Sequence, residues 1–189
     1  MPKRIVIAAV CLLAALAGIA IWLDRASPVA QSSTDKFANT VIEISASPGA
    51  IYSAKFTDLQ GKSQTLGQWE RKLLVVNFWA TWCGPCKEEI PILVKLHVKF
   101  GGSGVQIIGI AADSAANVAN FNQNVKINYP LLVDEAGAIG FSKRLGNRLG
   151  LLPHSVVFLP GGEVIYNKLG AINELELATI IAKNLPNKR

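Results

Sequence analysis

Cys83 and Cys86 are the residues of this chain best placed to do chemistry. They flank Gly84-Pro85 where an apolar strand-like run gives way to a helical pattern. With Cys86 one turn into that helix, it lies beneath Cys83, so the two sulfurs can close a short disulfide without moving the backbone. Cys83, in the first turn, meets the unpaired N–H groups and the positive end of the helix dipole, which favour thiolate over thiol. Cys83 is therefore the expected nucleophile and the exposed sulfur, and Cys86 the resolving thiol. Pro85 sits where a helix start tolerates it, having no N–H to leave unpaired, and its fixed φ stiffens the loop. The competing readings are a stapling disulfide or half of a zinc site. A zinc site of this type needs a second Cys or His pair, and the only other cysteine is Cys11.

The elements that must hold this pair follow from the hydrophobic pattern. Residues 73–79 form an apolar run too short for a free-standing helix and bounded by charge, as for a central strand buried on both faces. Residues 87–100 carry Ile90, Leu93, Val94, Leu96 and Val98 on a broad helical face that ends at Gly101-Gly102. A strand at 105–111 and a helix at 115–125 come next, and strand, helix and strand in succession imply parallel pairing. A short strand at 128–133 and a helix at 135–145 precede a hairpin of residues 155–159 and 163–169 around Pro160-Gly161-Gly162. Asn173 caps a last helix from 174 to about 185, with Glu174 and Glu176 where the dipole favours them. Upstream, 40–45 alternates as a strand, Ser47-Pro48-Gly49 turns, 52–59 is a second strand, and Gln60-Gly61-Lys62 turns again.

Residues 5–23 carry no charge and follow Lys3 and Arg4, about the length a helix needs to cross a bilayer. An uncleaved anchor is favoured over a signal peptide, whose apolar core is usually about 7–15 residues; Pro28-Val29-Ala30 is also a poor cleavage pattern. The positive-inside rule leaves the N-terminus in the cytoplasm and the remainder outside. Cys11 then reads as an apolar residue of the anchor. Three segments result: an anchor at 1–23, a small and polar linker at 24–39, and a folded domain at 40–189. The net charge of +6 and pI near 9.3 come from scattered basic residues without interleaved aromatics. That pattern points to a solvated basic surface and away from nucleic acid. Cys83 and Cys86 are the only cysteines beyond the anchor, so no structural disulfide competes with them, as suits an oxidising compartment.

The segment Val76-Asn77-Phe78-Trp79-Ala80-Thr81-Trp82-Cys83-Gly84-Pro85-Cys86-Lys87, with Pro91 later in the helix, resembles the active-site segment of thioredoxins. Phe56-Thr57-Asp58-Leu59-Gln60-Gly61-Lys62, leading into the core, resembles the N-terminal hairpin of extracytoplasmic members. The helix and strand before the proline loop resemble the insertion of the TlpA/ResA-like branch. The resemblance implies an α/β thioredoxin-like fold: a mixed central sheet flanked by helices, an N-terminal β-hairpin and a helix–strand insertion, here preceded by one transmembrane helix. It implies thiol:disulfide exchange with no cofactor beyond a redox-active Cys83–Cys86 disulfide. By the same likeness Pro153 matches the cis-proline that faces the cysteines, and Leu152 before it presents its backbone to the substrate strand. Trp82, Gly84 and Pro85 complete the surface that aligns a partner's sulfur.

Glu89 lies three residues past Cys86, and in ResA-like proteins a glutamate at this spacing serves as acid and base for the cysteines; burial would suit it by raising its pKa. The alternative is a solvated carboxylate like Glu88. Asn77 departs from the buried aspartate of thioredoxins, and an amide cannot accept the proton. His154 departs from the small hydroxyl residue common after the cis-proline; it is either a surface histidine, a group tuning Cys83, or a copper(I) ligand beside the thiolates. His97, late on an apolar-faced helix, reads as structural.

Gly84-Pro85 is the dipeptide of thioredoxin, whose potential is about −270 mV against about −120 mV for the oxidant DsbA. A reductant in the periplasm, anchored in the inner membrane, must be recharged. The family implies a transmembrane thiol carrier of the DsbD/CcdA type, and clients such as apocytochrome c haem-binding cysteines, in cytochrome c-type biogenesis, or oxidase copper-site proteins. Pro153-His154 departs from the Pro-Glu pair frequent in the cytochrome-maturation branch. A copper(I) chaperone using the same thiols and a disulfide-forming oxidase are the alternatives, the latter disfavoured by Gly84-Pro85.

Overall fold

Leu73–Trp79 and Val105–Ala111 are buried at every position, as continuous apolar runs must be when both sheet faces are covered. The computed structural model of the protein describes residues 46–185. The apolar segment 5–23 with Cys11, the linker 24–39 and the strand expected at 40–45 lie outside the described residues. Among the described residues no helix is long and apolar enough to cross a membrane.

The element order is α1 (Pro48–Tyr52), β1 (Lys55–Asp58), β2 (Ser63–Thr65), a 3-10 turn (Leu66–Trp69), β3 (Leu73–Trp79), α2 (Gly84–Phe100), β4 (Val105–Ala111), α3 (Ala115–Val125), β5 (Leu131–Val133), α4 (Ala138–Arg144), β6 (His154–Phe158), β7 (Val164–Leu169) and α5 (Glu174–Lys183). One mixed sheet runs β2-β1-β5-β4-β3-β6-β7. β3 pairs in parallel with β4, and β4 with β5, as the strand–helix–strand order required. β6 and β7 form the expected antiparallel hairpin, and β6 lies antiparallel to β3 with Phe78 opposite His154.

The pleat of β3 divides the core. Leu73, Val75 and Trp79 face α2, α3 and α5, packing with Cys83, Cys86, Ile90, Leu93, Leu96, Val118, Leu177 and Ile181. Leu74, Val76 and Phe78 face α1 and α4, packing with Ile51, Leu66, Ala138, Phe141 and Leu145. Alternation along one strand thus sets which helices cover which side. Gly109 of β4 allows a close approach on the first side. A Cβ there would lie 3.0 Å from the Trp79 indole nitrogen and 3.0 Å from a Leu131 methyl, so a larger residue would have to push one of them aside.

Several element boundaries differ from the sequence expectation. Ser47-Pro48-Gly49 opens α1 instead of a turn: the Ser47 hydroxyl accepts the Ala50 N–H and Pro48 occupies the first turn, the usual chemistry of a helix start. The strand expected at 52–59 consequently begins only at Lys55. The strand at 128–133 is cut to Leu131–Val133, since Pro130 has no N–H to give a ladder. The helix at 135–145 begins at Ala138, after Asp134 Oδ1 takes the Gly137 N–H.

Candidate active site

Cys83 is the N-cap of α2, and the helix begins at Gly84, earlier than the expected residue 87. Pro85 occupies the first turn, where its missing N–H costs nothing. The Cys83 and Cys86 sulfurs are joined at 1.98 Å, with Cα atoms 5.3 Å apart. The Cys83 Sγ also accepts the Cys86 N–H at 3.3 Å. Cys83 was expected to be exposed; it keeps only 6% of its surface, Cys86 keeps none, and the open neighbour is Trp82 at 69%. The order of accessibility holds, but both cysteines are buried beside an exposed indole.

One turn further along α2, Glu89 is buried. Its Oε1 accepts from Asn77 Nδ2 at 2.6 Å, and its Oε2 accepts the Ile172 N–H at 2.9 Å. Burial raises the Glu89 pKa to about 7, against the opposing pull of the bonds from Ile172 and Asn77. The solvated-carboxylate reading is therefore wrong for Glu89, whereas Glu88 is exposed. Asn77, where thioredoxins carry a buried aspartate, also donates to Ser155 Oγ at 3.0 Å, and its own Oδ1 is buried with no partner among the described residues. Burial, with the Glu89 charge adding to it, lifts the Tyr129 hydroxyl well above the ordinary phenol range, so that ring stays protonated.

The peptide bond between Leu152 and Pro153 is cis. β6 opens directly after Pro153 and runs beside β3, which brings the proline to the end of the sheet from which Trp82 and Cys83 emerge. Leu152 packs against both halves of the core. No group among the described residues pairs with the Leu152 N–H.

Of the readings open for His154, the surface histidine is excluded by its burial. The pleat of β6 turns it away from the cysteines, toward Phe78, on which it stacks with ring centres 5.5 Å apart. It is fully buried, with Nδ1 2.8 Å from Ser142 Oγ and Nε2 2.9 Å from Asn167 Oδ1. Both ring nitrogens are engaged on the sheet face opposite the thiols, so His154 is not placed to share a copper ion with them. Among the described residues no group of three His, Cys, Asp or Glu is arranged to hold a metal. His97 is structural as expected, edge-on to Tyr129 with ring centres 6.1 Å apart.

Sequence reasoning missed Asp113. Its Oδ2 accepts the Thr81 N–H at 3.0 Å and the Thr81 hydroxyl at 2.5 Å, while its Oδ1 accepts Ser114 N–H and Asn117 Nδ2, each at 2.8 Å. It thereby ties the loop before Cys83 to the end of β4. A polar residue ending an apolar strand just before a capping serine was the available signal.

Residues 32–181 match the Redoxin family. The chain is 32% identical over 132 residues to the thiol-disulfide oxidoreductase ResA of Bacillus cereus, an alignment covering 69% of this chain and 73% of that protein. It is similar in structure to the thioredoxin-related protein of Neisseria meningitidis serogroup B, with TM-score 0.62, 31% identity, and coverage of 68% of this chain and 97% of the other. A thiol:disulfide interchange protein from Chlorobium tepidum gives TM-score 0.61 at 26% identity, covering 71% of this chain and 94% of its own. With the disulfide at the mouth of α2, the cis-proline beside it and this sheet order, the chain belongs to the Redoxin family, in its TlpA/ResA-like, thioredoxin-folded branch.

Proposed function

We propose that this protein is a membrane-anchored, extracytoplasmic thiol:disulfide oxidoreductase that reduces disulfides in client proteins. The observation that carries the reading is the Cys83–Cys86 disulfide at the start of α2 with Glu89 buried one turn beneath it, its pKa about 7. In the dithiol state the Cys83 thiolate, favoured by the helix N-terminus, attacks one sulfur of the client disulfide. The other client sulfur leaves as a thiolate and takes up a proton. Cys86 gives its proton to Glu89 and attacks Cys83 Sγ, which releases the second client thiol and closes the Cys83–Cys86 disulfide. Two electrons pass to the client. Trp82, Gly84, Pro85, Leu152 and Pro153 form the surface that lines up the client sulfur. A carboxylate titrating near neutrality is suited to taking and returning that proton.

Gly84-Pro85 supports the reducing direction, and a reductant outside the cytoplasm draws its electrons from a transmembrane thiol carrier of the DsbD/CcdA type. Client cysteine pairs of apocytochrome c or of oxidase copper sites fit this chemistry. The test is the reduction potential of the couple, with covalent trapping of clients. A potential nearer thioredoxin's, about −270 mV, than DsbA's, about −120 mV, is expected. Cys86→Ser should hold clients as mixed disulfides through Cys83, and Cys83→Ser should hold few. A potential near the DsbA value would make the protein an oxidase, and equal trapping by the two variants would refute the assigned roles.

A further inference from the structure

Buried His154, Ser142 and Asn147, with half-buried Asn167, form a polar cluster that the exchange chemistry leaves unused. They come from β6, α4, the loop after α4, and β7. Their hydrogen bonds run in one direction only. Asn167 Nδ2 donates to Leu145 O at 2.5 Å, so Asn167 Oδ1 is an acceptor and His154 Nε2 carries the proton. Burial holds the imidazole below its usual pKa, against the bond to Asn167, and keeps it neutral; Nδ1 then accepts the Ser142 hydroxyl proton. Ser142 Oγ in turn accepts from Asn147 Nδ2 at 2.9 Å. The free ends of this relay act on the loop. Asn147 Nδ2 also donates to Leu151 O at 2.7 Å, and Asn147 Oδ1 accepts the Leu151 N–H at 3.2 Å, so one side chain grips both backbone groups of Leu151.

The gripped residue lies two positions before Pro153. Gly150, at φ 67°, lets the loop double back under Leu151, and Leu149 and Leu151 stand outward, 71% and 53% exposed. The next N–H along the chain, that of Leu152, has no partner among the described residues. We propose that His154 is a positioning residue for client binding: through Ser142 and Asn147 it fixes the backbone of Leu151, and with it the line along which a disulfide-bearing segment is laid past Cys83. This rests on the reading that the couple reduces client disulfides.

The test uses the full chain in its dithiol form against two probes: a short synthetic peptide closed by one disulfide, and hydroxyethyl disulfide, which is too small to lie along the loop. Ser142→Ala and His154→Gln break the relay toward Asn147, the glutamine reaching Asn167 but not Ser142. Each should raise KM for the peptide about tenfold, the effect of one buried hydrogen bond lost. Its kcat and the rate with hydroxyethyl disulfide should stay unchanged. His154→Asn keeps an acceptor at the place of Nδ1 and should restore KM to within about twofold of the parent. Ser142→Ala removes a single hydroxyl, so it answers the question even if a His154 variant fails to fold. Unchanged KM in Ser142→Ala, equal losses in His154→Asn and His154→Gln, or matching losses on both probes would each overturn the positioning role. A parent protein that reduces neither probe overturns the functional reading, and this proposal with it.

Discussion

At Glu89 burial and hydrogen bonding pull in opposite directions, and burial wins. A carboxyl whose pKa is about 4.5 unfolded and about 7 folded binds more protons in the folded state between those values. Stability is therefore highest below pH 4.5 as far as this group is concerned, and falls as pH rises through 7, by about 3 kcal/mol in all. Denaturant unfolding of the parent should show this decline between pH 4.5 and 7, and Glu89→Gln should lack it. Disulfide reduction by the same variant should slow on the order of a hundredfold and lose its inflection near pH 7. An unchanged rate profile with an altered stability profile would make Glu89 a structural acid only. Cys83 and Cys86 could be read from the sequence because their spacing at a helix start fixes their geometry; Glu89 was singled out by resemblance, and spacing alone left its burial open. The surroundings of His154 could not be read. Whether it faces solvent, the thiols or Phe78 depends on the register of β6 against β3, and a shift of one residue reverses it.

The active-site loop is held at its other end by Asp113. Burial pushes this carboxyl upward, but the hydrogen bonds from Thr81, Asn117 and Ser114 outweigh it and hold it below the usual carboxylate range. A depressed pKa means stabilisation that is present above the unfolded value of 3.8 and lost as pH falls through the lower folded value. Asp113→Asn should therefore blunt acid unfolding below about pH 4. Asp113→Ala should cost about 2–3 kcal/mol by orphaning Thr81 and the start of α3, and should speed amide exchange at Thr81 and Cys83. Unaltered exchange at those two amides would show the loop is held by other contacts. At this scale the apolar runs of β3 and β4 and the Ile90, Leu93 and Leu96 stripe of α2 were legible, since burial on two faces or one writes its period into the chain, whereas Val98, read onto the same face, is exposed. Edges were not: Ser47-Pro48-Gly49 reads as a turn, yet the Ser47 hydroxyl caps the Ala50 N–H and opens α1.

In the molecule as a whole, the resemblance to thioredoxins supplied the sheet and its covering helices, and hydropathy alone would have left the strand order open. The apolar segment 5–23 is expected to anchor the protein: it should stay with membranes through high-salt and carbonate washing, and a soluble form beginning near Gln31 would overturn the anchor. The division of the core by the sheet has a different consequence. The couple, Glu89, Asn77 and Ser155 belong to the side covered by α2 and α5, whereas His154, Phe78 and the α4 segment that carries the loop to Pro153 belong to the other. On the proposed positioning role, the couple that sets the potential lies on one layer, and the relay that steers the proline loop toward clients lies on the other. A chimera that takes residues 138–152 from a relative should acquire that relative's taste in clients while keeping its own voltage, so a lineage can change what it serves without re-tuning how strongly it reduces.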